Sequence, residues 1–283
     1  VNQRALHLIF IAFALLICYG HVSAGGFQAE VYPREVRPGD PFLVQVTGIK
    51  SSRLISASLG KNKLLFNRCG KGCYLAIGAI DIKTEPGIYP VQLKAGKKKN
   101  ILDLTVLETT FPKQELSLSE EKVFLDQKNL RRVKRENKRL KALFRKVSGK
   151  LWNGDFIFPL ENEISTEFGT ERLINHEITS VHSGVDISGE EGEEIMASNR
   201  GKVILKKELF FGGKTVIIDH GQGIYTIYMH LSKYNVRLHD IVPKGYVIGY
   251  VGSTGRATGP HLHFGVKISK INVNPISLFE LEL

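Results

Sequence analysis

Three short stretches of this 283-residue chain carry side chains able to do chemistry together. HSGVD at 182–186 sets His182 and Asp186 four residues apart, HLH at 261–263 sets His261 and His263 two apart, and His230 stands in YTIYMHL. On an extended strand, side chains two or four apart share a face, so each stretch can turn both of its groups into one pocket. Catalytic zinc takes three protein ligands from histidine and carboxylate and keeps a fourth position for water. A histidine, Asp186 and one histidine of the HLH pair would complete that set for one zinc ion per chain. Two imidazoles would remain for acid–base work or for stabilising charge in the transition state. Spacing alone does not say which histidine of HLH would hold the metal. The absence of an HExxH motif argues against the thermolysin arrangement, and GSTG at 252–255 lacks the following Lys and helix pattern of a phosphate loop.

The elements that must position these residues are mainly β. From Leu151 onward, segments such as VILKKELF, GKTVIIDHG and HLHFGVKIS have strand length and are separated by turn residues, which predicts an antiparallel β-sheet domain over 151–283. Residues 25–112 show the same kind of signal. Phe42, Val44 and Val46 alternate with Leu43, Gln45 and Thr47, and Tyr89, Val91 and Leu93, then Leu102, Leu104 and Val106, repeat the period of two, which predicts a small β-sandwich of immunoglobulin-like type. Between them, residues 113–150 read as a basic helical linker. Ser117 and Glu120 have capping-box spacing, and Leu130, Val133, Asn137, Leu140, Phe144 and Val147 fall on one helix face, with Lys and Arg on the others. That helix is expected to connect domains; a short coiled coil or an arm on an anionic wall or membrane surface are the alternatives.

Charge is divided along the chain. The formal total of +11 resolves into +7 over residues 1–112, +8 over 113–150 and −4 over 151–283, while seven of the nine histidines lie in the last segment. A cationic surface and a site of chemistry are thus separated, and a nucleic-acid partner is not expected. Residues 5–18 form an apolar run behind Arg4, followed by Val22-Ser23-Ala24, so 1–24 read as a signal peptide and the protein as exported, periplasmic or extracellular. Retention of the run as a membrane anchor is the rival reading, against which its length counts. In an oxidising compartment Cys69 and Cys73 of CGKGC are expected to pair; zinc binding by the two is weaker, since no second Cys or His pair is nearby.

From about Phe158 to Pro275 the sequence resembles the lysostaphin-like, or LytM-type, zinc endopeptidases, which hydrolyse peptide bonds of bacterial peptidoglycan. The resemblance is carried by FGTER at 168–172, HSGVDISGEEG at 182–192, ASNRGKV at 197–203, GKTVIIDHGQGIYTIYMHL at 213–231 and VGSTGRATGPHLHFGV at 251–266. Position by position it implies zinc ligands at His182, Asp186 and His263, with His230 and His261 as the unligated catalytic pair. Arg172 and Tyr228 are candidates for lining the substrate cleft. His176, His220 and His239 are expected in surface or loop-bracing roles. The family reading implies a metallopeptidase acting on peptidoglycan. Its rivals are an inactive module of the same type that regulates another cell-wall hydrolase, and a secreted peptidase acting on proteins. His239 before Asp240 and INHEITS at 174–180 depart from the family pattern without touching a motif position.

Overall fold

The structure is a computed structural model that describes residues 27–117, 124–176 and 178–283; the expected signal at 1–24 lies outside them. Among the described residues no helix is long and apolar enough to cross a membrane. The first part holds nine strands: β1 (Gln28–Tyr32), β2 (Glu35–Val36), β3 (Pro41–Thr47), β4 (Ile55–Leu59), β5 (Asn62–Leu64), β6 (Asn67–Gly70), β7 (Cys73–Ala79), β8 (Gly87–Ala95) and β9 (Lys98–Val106). They form two sheets, ordered β1-β3-β7-β6 and β2-β9-β8-β4-β5. The expected inward residues Phe42, Val44, Val46, Val91, Leu93 and Leu104 share one core between the sheets. Cys69 and Cys73 are disulfide-bonded across the β6–β7 turn, as expected. Period-two alternation does not show that β3 and β7 are buried on both faces. Leu43, Leu75, Ile77 and Ala79 point away from the sandwich core and join the core of the C-terminal part, in one cluster with Trp152, Phe156 and Phe168.

The connecting segment departs from expectation. Residues 113–116 are not helical but form strand β10 (Lys113–Leu116). Helix α1 spans Gln127–Leu143, and its N-cap is Asp126, whose side chain accepts from the Asn129 N–H at 2.6 Å. The expected capping box at Ser117 therefore does not start this helix; residues 118–123 lie outside the described ones. Of the expected stripe, Val133 and Phe144 are buried, Leu130 and Leu140 half-buried, and Asn137 and Val147 exposed. Glu136 takes the inward place next to Asn137, because its carboxylate has partners there: Arg132 Nε at 2.8 Å and the Phe210 N–H at 2.9 Å.

The C-terminal part contains β11 (Ile164–Thr166), β12 (Glu171–Ile174), β13 (Ile178–Val181), β14 (Val185–Ser188), β15 (Glu194–Met196), β16 (Gly201–Leu209) and β17 (Gly213–Gly221). It continues with β18 (Ile224–Leu231), β19 (Lys233–Tyr234), β20 (Ile241–Val242), β21 (Val247–Tyr250), β22 (His261–Ile268), β23 (Ile271–Val273) and the short helix α2 (Pro275–Phe279). The main sheet runs β11-β14-β22-β18-β17-β16-β20, with β23 on β22, and its pairings are antiparallel. One face sends Val203, Val216, Tyr228 and Phe264 into the large core. On the other face Leu205, Leu209, Ile217, Tyr225 and Ile227 pack with Phe144, Leu140 and Leu143 of α1. The helix thus covers the β16–β18 side of this face, and the chemistry-bearing residues stand on its β14–β22 side.

Candidate metal centre

Antiparallel pairing of β14 with β22 sets Asp186 directly opposite His263 and Ser188 opposite His261. Val185 and Ile187, one residue out of phase with Asp186, are buried in the large core, as are Leu262 and Phe264 beside the two histidines. The same-face expectation therefore holds for HLH. It does not describe how His182 meets Asp186, because His182 precedes β14 in the loop after β13. The loop can pass close to β22 only because residue 184 is glycine: a Cβ there would lie 2.3 Å from the Phe264 carbonyl oxygen.

His230 reaches the same place by a different device. Along β18, Tyr228 faces the large core, so strict alternation would send residue 230 there as well. The β17–β18 register shifts between Lys214 and Val216, and His230 has a φ of 66°. Such a bulge with a left-handed residue re-aims a side chain. The ring of His230 consequently lies 4.8 Å from that of His261 and 6.1 Å from that of His263, centroid to centroid.

His182, Asp186 and His263 are buried, and each offers one ligand-type atom to a common point. His182 Nε2 is 2.9 Å from Asp186 Oδ1 and 2.9 Å from His263 Nδ1, which is itself 2.8 Å from Asp186 Oδ1. His182 Nδ1 donates to the Glu167 carbonyl at 2.9 Å, the tautomer in which an unprotonated Nε2 turns its lone pair toward the carboxylate. Two acceptors at that separation need a proton or a cation between them. Two imidazole nitrogens and one carboxylate oxygen also form the donor set of a catalytic zinc, and a ring fixed by a carbonyl on its other nitrogen is the usual second layer of such a site. These residues fit zinc. Burial would raise the Asp186 pKa, but the hydrogen bonds and charges of His182 and His263 outweigh it and hold the carboxyl well below its usual range. Burial lowers the His263 pKa against the opposing pull of Asp186.

The two remaining histidines are locked in the same sense. His230 Nδ1 donates to the Thr254 carbonyl at 2.7 Å and His261 Nδ1 to the Gly259 carbonyl at 2.9 Å, which leaves both Nε2 atoms as acceptors. Burial, followed by the neighbouring His263 and His261, pushes the His230 pKa down to about 3. All but one of the five residues line a cleft of about 370 Å³, His182 being enclosed behind it.

Arg172 also lines this cleft, although two of its nitrogens are already engaged. Nη2 holds Asp186 Oδ2 at 2.5 Å, opposite the oxygen that faces the histidines, and Nε donates to Gln114 Oε1 at 3.1 Å. Tyr228 is a correction. It is fully buried in the large core, its hydroxyl bonded to the Ser198 N–H and to Thr226, and it lines no part of the cleft. His176 and His239 are exposed, but His220 is wholly buried, with Nδ1 donating to the Arg200 carbonyl and Nε2 accepting from Thr226. Sequence reasoning missed Gln114 and Leu116, which reach the cleft from β10, and Arg256. Arg256 stands inside GSTGRATGPHLHFGV and was open to notice; nothing in the residues of β10 signals its parallel pairing with β12.

Residues 180–275 match peptidase family M23. DD-carboxypeptidase/endopeptidase Mpg of Neisseria meningitidis is 38% identical over 115 residues, 41% of this chain and 26% of that protein. Peptidoglycan DD-endopeptidase ShyA of Vibrio cholerae is 35% identical over 133 residues, 43% of this chain and 30% of that protein. The matched part is thus about a quarter to a third of these relatives' length. A crystal structure of a candidate M23 peptidase from Pseudomonas aeruginosa superposes with a TM-score of 0.65 at 30% identity, over 86% of this chain and 93% of that one. A likeness of that extent runs through the N-terminal sheets as well as the histidine cluster, and it is in this sense, as a whole chain and not as a borrowed motif, that the protein belongs to peptidase family M23.

Proposed function

We propose that the protein is a zinc-dependent endopeptidase that hydrolyses peptide bonds of bacterial peptidoglycan. The observation that carries the reading is the convergence of His182 Nε2, Asp186 Oδ1 and His263 Nδ1 beside two further histidines whose Nε2 atoms are free to accept. Zinc, when bound, lowers the pKa of a coordinated water and polarises the scissile carbonyl. His182, Asp186 and His263 would hold it. Arg172 keeps Asp186 oriented by taking its second oxygen, and the Glu167 carbonyl keeps His182 in the ligating tautomer. His230 and His261 are locked through Nδ1 with Nε2 as acceptor, and one of them takes the proton that the attacking water gives up. Once protonated, that imidazole is a charged donor that can steady the oxyanion or deliver the proton to the departing amine. The curated relatives are named as DD-endopeptidases, which favours a bond of that class. All five motif residues are retained, so an inactive regulatory module is the weaker alternative.

On the same reading residues 1–24 are the export signal, 25–112 an immunoglobulin-like accessory domain, 113–150 the linker and 151–283 the peptidase domain. The exposed cations of α1 would face anionic wall material, and reversing Arg131, Lys134 and Arg135 should then reduce retention on isolated sacculi at low salt.

The deciding experiment combines metal analysis with mass analysis of fragments released from purified peptidoglycan. Ala at His182, Asp186 or His263 should remove both zinc and turnover. Ala at His230 or His261 should keep zinc and slow turnover by about 10² to 10⁴. Zinc retained in His263→Ala and lost in His261→Ala would reverse the assignment, and wild type that releases no fragment would sink the enzyme reading.

A further inference from the structure

Arg256 is the cleft residue that the metal site does not use. Its loop is pressed onto the β16–β17 turn: a Cβ on Gly255 would lie 2.2 Å from Gly213 N, and Gly255 has a φ of 75°. The Arg256 N–H bonds the Phe211 carbonyl at 2.8 Å, and the guanidinium lies 4.3 Å from the centroid of the Phe211 ring. The side chain is thus placed by its backbone and by an aromatic platform. Among the described residues no carboxylate lies within salt-bridge distance of it, and its guanidinium makes no hydrogen bond recorded there. None of its nitrogens is a sealed, unpaired atom, so they face accessible space.

Among the described residues Asp186 is the one carboxylate on its wall, with Oδ1 between two imidazoles and Oδ2 on Arg172. The wall therefore presents one engaged and one unengaged guanidinium to whatever enters. Burial and the charge of Arg172 both act against the charged form of Arg256, a penalty that an anionic ligand would relieve. A guanidinium offers the planar pair of donors that fits a carboxylate with two parallel hydrogen bonds.

We propose that Arg256 is the carboxylate-recognition residue of this cleft, selecting peptides with a free carboxylate next to the scissile bond. This rests on the endopeptidase reading, and binding separates the two. Two stem-peptide analogues are needed, each with a methyleneamine in place of the scissile amide, one bearing a free α-carboxylate beside it and the other the carboxamide. Titrated into zinc-loaded wild type, the carboxylate should bind about 10- to 100-fold more tightly. Arg256→Gln should bring that ratio close to one and Arg256→Lys should restore part of it, with zinc content unchanged in both. Contact of the carboxylate with zinc would be common to all three proteins and does not account for a ratio that follows Arg256. A wild-type ratio near one, or a ratio that survives Arg256→Gln, overturns the proposal. If the ratio behaves as expected while the corresponding cleavable amides stay intact, the subsite stands and the endopeptidase reading fails.

Discussion

His230 occupies a left-handed backbone conformation that a residue with a Cβ adopts only at a cost of about 1–2 kcal/mol, and its ring reaches His261 because of it. Replacing it by Gly or by Ala removes the same imidazole. Here Gly should be the more stable of the two by about 1 kcal/mol, the reverse of their usual order in a strand, in denaturant titrations of the zinc-loaded proteins. Both should slow turnover alike; Ala as stable as Gly would mean that the bulge relaxes when the ring is gone. His220 gives a pH test remote from the metal. Its pKa is pushed down to about 4 by burial, opposed by the hydrogen bond to Arg200. Between pH 6.5 and 4 the unfolded chain therefore binds a proton that the native state refuses, so stability falls as pH drops through that window, by about 3 kcal/mol in all. His220→Gln should flatten this part of the stability–pH curve, and an unchanged slope would assign it to other groups. At this scale the pairs in HSGVD and HLH were legible because their types are uncommon together. Tyr228 misled because alternation places it on the same face as residue 230, whereas the bulge re-aims His230 alone and leaves Tyr228 in the large core, where the Ser198 N–H satisfies its hydroxyl.

Helix α1 is tied to the sheet at two kinds of contact. Phe144 lies edge-on to Tyr225, with ring centroids 5.2 Å apart, and Glu136 joins the turn that carries Phe210 and Phe211. Phe144→Ala should cost about 3–5 kcal/mol, whereas Val147→Ala, beyond the helix end and 60% exposed, should stay within about 0.5 kcal/mol. Equal effects in equilibrium unfolding would place the stripe differently from the observed packing. Period and charge made this helix legible, since an apolar seam in a basic segment has few other uses. Its start was not legible. A Ser-x-x-Glu spacing also occurs where no helix begins, and Asp126 with the Asn129 N–H makes the cap in this chain. The strands were legible by alternation, except where β3 and β7 are covered on both faces, a property of the partner surface and not of the strand.

The sandwich and the peptidase part share one buried cluster through Leu43, Leu75, Ile77 and Ala79, and Ser277 donates to Asp40 across the same boundary at 2.6 Å. Local periodicity carries no trace of such a shared core, because the residues that meet are far apart in the chain, 237 positions for Ser277 and Asp40. The charge division along the chain, by contrast, survives into the fold: the cations cluster on α1, and the cleft lies on the other part of the same sheet face. Strand β10 then has an effect on inheritance. It pairs in parallel with β12, so Gln114 props Arg172 and Leu116 forms wall, yet β10 and Arg172 both lie outside the stretch 180–275 that matches the family. A recombination event, or an engineer, that grafts the matching stretch onto a new leader transfers all three candidate ligands, His182, Asp186 and His263, but exchanges one side of the cleft. Arg256 and the candidate ligands therefore travel together with the matched stretch, while the wall built by Gln114, Leu116 and Arg172 is left behind.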